Sequence, residues 1–501
     1  MALQPDLADF TDTYEAGRPQ VVWTSLVADL ETPVSAMLKL AEGRPYSFLL
    51  ESVEGGAVRG RYSAIGLKPD LIWRCFGDRA EVNRQARQDL RAFEPCPGRA
   101  LGELRRLIEE ARIALPDGLP PMAAGLFGFM GYDMVRLMER LPDANPDVLG
   151  IPDAVFMRPT VMAIFDNIED RVVIVTPVWP ARELGPRAAY DLARERIADV
   201  VADFDRGVAH RGDWHGAGTL PEATSNVPRA RYHEMVESAK EYIRAGDVFQ
   251  VVPSQRFSLP FDLPPFALYR ALRRLNPSPF LFFLDFDGFA LVGSSPEILV
   301  RLRDGTVVVR PIAGTRRRGA TRAEDSALAD EMLSDPKELA EHLMLLDLGR
   351  NDVGRVAEIG SIRVTEKMSV EFYSHVMHIV SNVEGRIRAD QGALDALMAG
   401  FPAGTVSGAP KVRAMEIIDE LEPERRSFYA GAIGYFGADG NMDTCIALRT
   451  ALVKGGRMYV QAGGGVVADS DPEAEYQESC NKARALIRAA EEAVAFARSA
   501  Q

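Results

Sequence analysis

From residue 228 onward, strand-like segments follow one another with little between them: VFQVVPSQRFSL, FLFFLDFDGFALVGSS, TVVVRPIAG, GSIRVTEKMSVEFYSHVMHIVSNVEGRI, FYAGAIGYFG, CIALRTALV and MYVQAGGGVV. A parallel neighbour needs a crossover of about a dozen residues or more, so segments this close favour antiparallel or mixed pairing over repeated βαβ units. Upstream, Val155 to Ile164 and Arg171 to Val178 are short apolar runs, and Arg187 to Phe204 carries a helical pattern. The predicted class is α+β. The weakest patterning lies in GVAHRGDWHGAGTLPEATSNVPRARY, where Gly, Pro, Ser, Thr and Asn crowd together. It divides the chain into an N-terminal half, residues 1–206, a linker, 207–227, and a C-terminal half, 228–501.

Composition narrows the function classes. Apolar residues make up 47% of the chain and charged residues 26%, as in a soluble globular protein. A net charge of −14 opposes nucleic-acid binding, which needs a basic face, so any anionic ligand must be held by local donors or a metal. No segment reaches the ~18 uninterrupted apolar residues of a membrane span, and the acidic N-terminus has no signal-peptide pattern. Cys75, Cys96, Cys445 and Cys480 are scattered without a CxxC pair, which fits a reducing cytoplasm better than a disulfide or zinc framework.

Two acidic segments share one design. In DPKELAEHLMLLDLGRND, Asp335 is an N-cap, Pro336 suits the first helical position, Glu338 completes a capping box, and Gly349 is placed to end the helix. In DSDPEAEYQESCNKARALI, Asp471 and Pro472 repeat the start, with Glu475 and Glu478 three apart and Lys482 one turn on. Glu338 and Glu341 likewise share a helix face. Such pairs are either solvated helix faces that complement the dipole or, if they converge, oxygen ligands for Mg²⁺. His375 and His378, three apart in a strand, point to opposite faces and do not share a metal ion.

Other positions carry chemistry singly. Gly314 and Thr315 close an apolar run, and Gly463, Gly464 and Gly465 interrupt a strand. These glycines mark either a bulge or the close approach of a backbone or ligand. Arg449 sits among apolar residues and needs an anionic partner, either a structural carboxylate or one on a substrate. Glu297 follows a Ser-Ser-Pro turn; buried, it is a general acid with a raised pKa, and at an exposed edge it does nothing. Gln250 lies within the apolar VFQVV. In FPAGTVSGAPKVRAMEIIDELEP, residues 401 to 423, a glycine-rich turn feeds a helix, a geometry that suits an anion, with Lys411 at hand; simple packing of the turn is the alternative.

Taken in order, GDVFQVVPSQRF, SSPEILV, PIAGTRRRG, DPKELAEHLMLLDLGRND, YSHVMHIVSNVEG, FPAGTVSGAPKVRAMEIIDELEP, CIALRTALV and AGGGVVADSDPEAEYQESCNKA resemble the chorismate-utilising enzymes over nearly all of residues 228 to 490. SFLLESVEGG and RYSAIG resemble the regulatory half found in that family's anthranilate-forming branch. The resemblance implies two large antiparallel β-sheets packed as a sandwich with surrounding helices, and a cleft that binds chorismate with Mg²⁺. It implies Glu341 and Glu478 as metal ligands with Glu338 and Glu475 as auxiliary carboxylates. Gly314, Thr315, Tyr429, Arg449 and Gly463 to Gly465 match the chorismate contacts.

Two positions imply the branch. Gln250 stands where water-using members carry a Lys, so ammonia is the expected nucleophile. Ala313 replaces the Lys that forms a covalent intermediate in aminodeoxychorismate synthases, and a methyl group is no nucleophile. The implied reaction is attack of ammonia at C2 with loss of the C4 hydroxyl, Glu297 being the acid, followed by loss of pyruvate with His378 in the proton transfer; His375 only packs. No cysteine has a nucleophile-elbow setting, so a separate glutamine amidotransferase subunit, and hence a hetero-oligomer, is implied. Leu49, Leu50, Glu51 and Ser52, with Pro279, Phe280 and Leu281, resemble a tryptophan pocket for feedback inhibition, Phe280 and Leu281 replacing the family's more usual Tyr-Met. The competing readings are the aminodeoxychorismate branch and a catalytically silent amino-acid sensor of the same fold.

Overall fold

The computed structural model describes residues 2–41, 43–54, 58–208, 220–373 and 376–499. His375 and residues 209–219 of the expected linker lie outside the described residues. Every pairing between the named strands is antiparallel, and among the described residues 21 strands form one continuous hydrogen-bonded sheet that folds over into two large layers, with Gln250–Val251 and Gly408–Ala409 paired as a separate ribbon. The first runs, in spatial order, through Ser254–Pro260, Arg457–Gly463, Thr450–Lys454, Phe289–Ser295, Phe280–Phe286 and Ser47–Glu54. The second runs through Gly125–Met130, Ala432–Gly437, Met442–Ile446, Ile298–Arg303, Thr306–Val309 and Val376–Arg386. Two long strands, Val58–Phe76 and Ala154–Asp166, belong to both. Their paired halves, 62–67 against 161–166 and 71–75 against 154–158, are separated by a register shift at Pro69/Leu71, where Lys68 has φ +51°. The bend lets one ladder turn from the first sheet into the second, which matches the role of bulges at sheet corners.

Strand alternation explains why runs such as FLFFL are apolar on both faces. Phe48, Phe282 and Leu291 point into the space between the sheets, while their neighbours Leu49, Phe283 and Val292 point outward under helices. Across the inner space Phe48 stacks on Phe127 at 4.7 Å and Phe129 meets Phe286 at 5.5 Å, so the two sheets face each other as a sandwich. The outer core is closed by Met37 and Leu40, Ala193 and Ile197, Leu268 and Leu272, and Leu486 and Ala490, from four helices. The helix Pro186–Phe204 and the strands Ala154–Asp166 and Arg171–Val178 coincide with the upstream segments predicted from patterning. Among the described residues no helix is long and apolar enough to cross a membrane.

Three local expectations are corrected. VFQVVPSQRFSL is two strands, because Pro253 lacks a ladder donor and Gln250–Val251 leaves the sheet to pair with Gly408–Ala409. The helix that starts at Pro336 does not end at Gly349 but runs to Gly354; Gly349 is an interior packing position, where a Cβ would lie 3.3 Å from the Pro311 ring. The segment of residues 360–387, read as one strand-like stretch, is a pair of antiparallel strands, Arg363–Phe372 and Val376–Arg386.

Candidate active site

The chain passes from the first sheet to the second at Ser295–Ile298 and returns at Ile446–Thr450, and these crossings are joined where the Ile446 amide donates to the Glu297 carbonyl at 3.1 Å. A cleft of about 1650 Å³ opens beside them, lined by Gln250, Glu297, Ala313, Gly314, Thr315, Glu338, Glu341, Thr405, Tyr429, Arg449, Gly463, Gly465, Glu475, Glu478 and Lys482 among others. Residues from 250 to 482 are thus brought to one wall. Ser52, Pro279, Phe280 and Leu281 are not on it. They lie together elsewhere, on and beside the paired strands Ser47–Glu54 and Phe280–Phe286, with Leu281 opposite Glu51. There Glu51 is buried and already engaged by Arg273 at 2.6 and 2.9 Å and by the Tyr269 hydroxyl.

The helix Pro336–Gly354 is capped by Asp335, to which the Lys337 amide donates at 2.9 Å, but the expected capping box does not form, because Glu338 is held by Arg316 and the Asp335 amide donates to the Met332 carbonyl. Its rotation is set by His342, fully buried, whose Nε2 lies 2.7 Å from the Ser381 hydroxyl on the neighbouring strand. Burial pushes His342 down to about 4, so the imidazole is neutral. That anchoring turns Glu341 into the cleft, where Gln250 Nε2 donates to its Oε1 at 3.0 Å. The Gly408–Ala409 ladder fixes the backbone of Gln250, and Gly408, at φ +136°, has no room for a Cβ against the Gln250 carbonyl. The helix Pro472–Ser499 starts the same way, the Ala474 amide donating to Asp471 at 2.9 Å, and brings Glu475 and Glu478 to the opposite side.

Four carboxylates therefore share one cleft. Burial raises the pKa of Glu341, and the charges of Glu338 and Glu478 raise it further; burial and the charges of Glu478 and Glu341 do the same to Glu475. Glu338 is held by Arg316 at 2.7 Å, while Oε2 of Glu475 is buried with no hydrogen-bond partner among the described residues. As the side chains stand, no three His, Cys, Asp or Glu groups among the described residues form a metal cluster. The donor set still fits a hard divalent cation: all ligands are carboxylate oxygens, they repel one another, and one buried oxygen has no partner.

Glu297 is buried, and Thr405 Oγ1 donates to both carboxylate oxygens at 3.0 and 3.1 Å. Burial outweighs that hydrogen bond and pushes the carboxyl up to about 8, so it is protonated at neutral pH. His378 stands beside the wall, its Nδ1 2.9 Å from the Gly314 carbonyl and 3.1 Å from Thr315 Oγ1. A carbonyl only accepts, so Nδ1 carries the proton and Nε2 keeps its lone pair. Burial lowers its pKa, favouring the neutral ring. Arg449 is mostly buried at φ +46° and has no carboxylate partner among the described residues; burial lowers its pKa. A non-glycine residue in that conformation costs about 1–3 kcal/mol, a strain that concentrates at functional sites.

The glycines and Lys411 have structural explanations. A Cβ at Gly464 would lie 2.5 Å from Glu475 Oε2, one at Gly465 2.6 Å from Gln250 Nε2, and one at Gly314, with φ +68°, 3.1 Å from Glu338 Oε2. The site's own side chains lie against these glycines. Lys411, expected beside a bound anion, is instead paired with Asp352 at 2.9 and 3.0 Å, both groups largely buried, so its charge is already neutralised. Sequence reasoning missed Thr405, Asp352 and the inward contact of Lys482, because their partners are remote along the chain and no local pattern pairs them.

Residues 64–488 match the family of chorismate binding enzymes, and the chain belongs to that family. Within it the chain is 62% identical over 491 residues to the anthranilate synthase component 1 of Cereibacter sphaeroides, covering 98% of each chain. It is 48% identical over 475 residues to the protein of the same name from Pseudomonas putida, covering 92% of this chain and 93% of that one. The solved structure of anthranilate synthase component I from Streptococcus pneumoniae superposes with a TM-score of 0.75 at 38% identity, over 85% of this chain and 92% of that chain. The menaquinone-specific isochorismate synthase of Escherichia coli shares the fold, with a TM-score of 0.70 at 19% identity over 97% and 98% of the two chains.

Proposed function

We propose that this chain is the synthase subunit that converts chorismate and ammonia to anthranilate and pyruvate, a Mg²⁺-dependent carbon–oxygen lyase of tryptophan biosynthesis. The observation that carries the reading is Arg449, a mostly buried cation on the cleft wall with no carboxylate partner among the described residues, in the same cleft as Glu341 and Glu478. Glu341 and Glu478 would hold the metal, which when bound supplies a Lewis-acid anchor for a substrate carboxylate. Arg449 and Tyr429 hold the other carboxylate. The protonated Glu297 gives its proton to the C4 hydroxyl as nitrogen bonds to C2 and the C4–O bond breaks, so water leaves. Nε2 of neutral His378 then takes the C2 proton as the C3–O bond breaks and returns it to the methylene carbon of the departing enolate, so that pyruvate leaves and the ring becomes aromatic, while one proton of the added ammonium restores Glu297.

Ammonia is supplied by a glutamine amidotransferase subunit in a hetero-oligomer. This is supported by the cysteines of this chain, of which Cys75 and Cys445 are buried with thiol pKa values raised by that burial, unsuited to nucleophilic attack. The four free thiols also accord with a cytoplasmic setting. Tryptophan inhibits by binding beside Leu49–Ser52 and Pro279–Leu281, and the division into a regulatory 1–206 and a catalytic 228–501 is part of the same proposal, since the cleft residues lie between 243 and 482. Ala313, on the cleft wall, weighs against the covalent chemistry of the aminodeoxychorismate branch. Incubating the pure chain with chorismate, Mg²⁺ and excess ammonium salt gives fluorescent anthranilate. A 4-aminobenzoate precursor, or no product, refutes the assignment.

A further inference from the structure

Lys482 follows Glu478 by one turn on the helix Pro472–Ser499, and its Nζ lies 2.7 Å from Glu478 Oε1. An i,i+4 Glu–Lys pair on a helix surface is common and weak. Here the ammonium makes a second bond that such a pair does not need, donating to the carbonyl of Gly463 at 2.9 Å. That bond crosses from the helix to the end of the strand Arg457–Gly463 and aims the charge into the cleft. Three carboxylates besides Glu478, those of Glu297, Glu341 and Glu475, feel the charge of Lys482.

The other lysines of this wall, and Arg316 beside it, are engaged differently, while Arg449 has no carboxylate partner among the described residues. Lys337 pairs with Asp469, Lys411 with Asp352, and Arg316 with Glu338 and Asp335. Of the lysines lining the cleft, Lys482 alone is paired with one of the two proposed metal ligands. A dication and an ammonium compete for one carboxylate oxygen, because each is attracted to it and they repel each other. The ammonium leaves easily only if another anion receives it, and a dianionic substrate brings one to the same place.

We infer that Lys482 is an internal counter-cation, which holds Glu478 until metal and substrate arrive together and is then handed to the substrate's carboxylate. This rests on the metal reading proposed above and adds a regulatory consequence. Metal and substrate each tighten the other's binding, by the same factor in both directions, as linkage requires. The carbonyl of Gly463 is the pivot that keeps the ammonium in the cleft during the exchange.

The test is titration of the full chain with Mn²⁺, counting the free ion by electron paramagnetic resonance, with and without chorismate in ammonia-free buffer. Chorismate tightens Mn²⁺ binding to the wild type by about fivefold or more. Lys482→Met, at a half-exposed position that tolerates the change, binds Mn²⁺ alone about tenfold more tightly than the wild type, and chorismate adds less than it does in the wild type, because only the direct contact of metal and substrate carboxylate remains. Lys482→Gln behaves the same way, and Lys482→Arg, which keeps the cation, retains the wild-type coupling. If Lys482→Met and Lys482→Gln, both folded by thermal melt, bind Mn²⁺ alone no more tightly than the wild type while Glu478→Gln abolishes binding, the inference is overturned and the metal site stands. If the wild type binds no Mn²⁺ even with chorismate, the metal reading falls and takes the inference with it.

Discussion

Replacing Glu297 by Gln tests the acid and its environment together. The substitution keeps the shape and a hydrogen-bonding group for Thr405 but removes the titrating proton. A general acid contributes about 10²–10⁴-fold, so kcat falls by that factor, equivalent to about 3–5 kcal/mol of barrier. The wild-type kcat/KM, referred to the concentration of unprotonated ammonia, declines above pH about 8 as Glu297 loses its proton; the variant lacks that decline. Stability gives an independent reading. The folded-state value of about 8 lies above the ordinary 4.5, so the neutral carboxyl's contribution is fully present below pH about 4.5 and is lost as pH rises through about 8. The whole shift corresponds to about 5 kcal/mol, of which about 3 kcal/mol has gone by pH 7. Denaturant melts from pH 4 to 9 should therefore show Glu297→Gln gaining on the wild type steadily with pH, by a total of about 3–5 kcal/mol. Equal pH dependence in the two proteins, or retention of more than a tenth of the activity, would falsify the assignment of Glu297 as a buried acid.

Two further substitutions separate binding from folding. Arg449→Met leaves no guanidinium for the substrate and raises KM for chorismate by about 10–100-fold, with melting unchanged or improved because a mostly buried cation without a carboxylate partner among the described residues is gone; an unchanged KM shows that the cation serves something other than the substrate. Lys411→Met strands Asp352 as a buried charge and costs about 3–5 kcal/mol of stability while the KM of the protein that remains folded is unchanged. A raised KM without loss of stability would restore Lys411 as a ligand of the bound anion.

Much of the fold was legible because its cues are local. Short apolar runs marked the strands, their close succession favoured antiparallel pairing, and the Asp-Pro starts at 335–336 and 471–472 announced two capped helices with acidic residues three apart. These signals depend on neighbours a few residues away, which is why they survive in a one-dimensional string. The early end expected at Gly349 failed for a related reason: a glycine's meaning depends on what lies against it, and Pro311 was invisible from the local sequence.

The local sequence thus determined the layers, the helix starts and the residue types available for chemistry. Only the tertiary structure decided which of them meet. Thr405 lies 108 residues from Glu297 and Gln250 lies 91 from Glu341, and those bonds exist because two sheets cross at one end of a sandwich. The same crossings bury Glu297 enough to keep its proton, seat Glu475 and Gln250 against Gly464 and Gly465, and turn Lys411 to Asp352 and away from any ligand. Desolvation and cross-chain contact are properties of the packed molecule, and no stretch of residues read alone carries them.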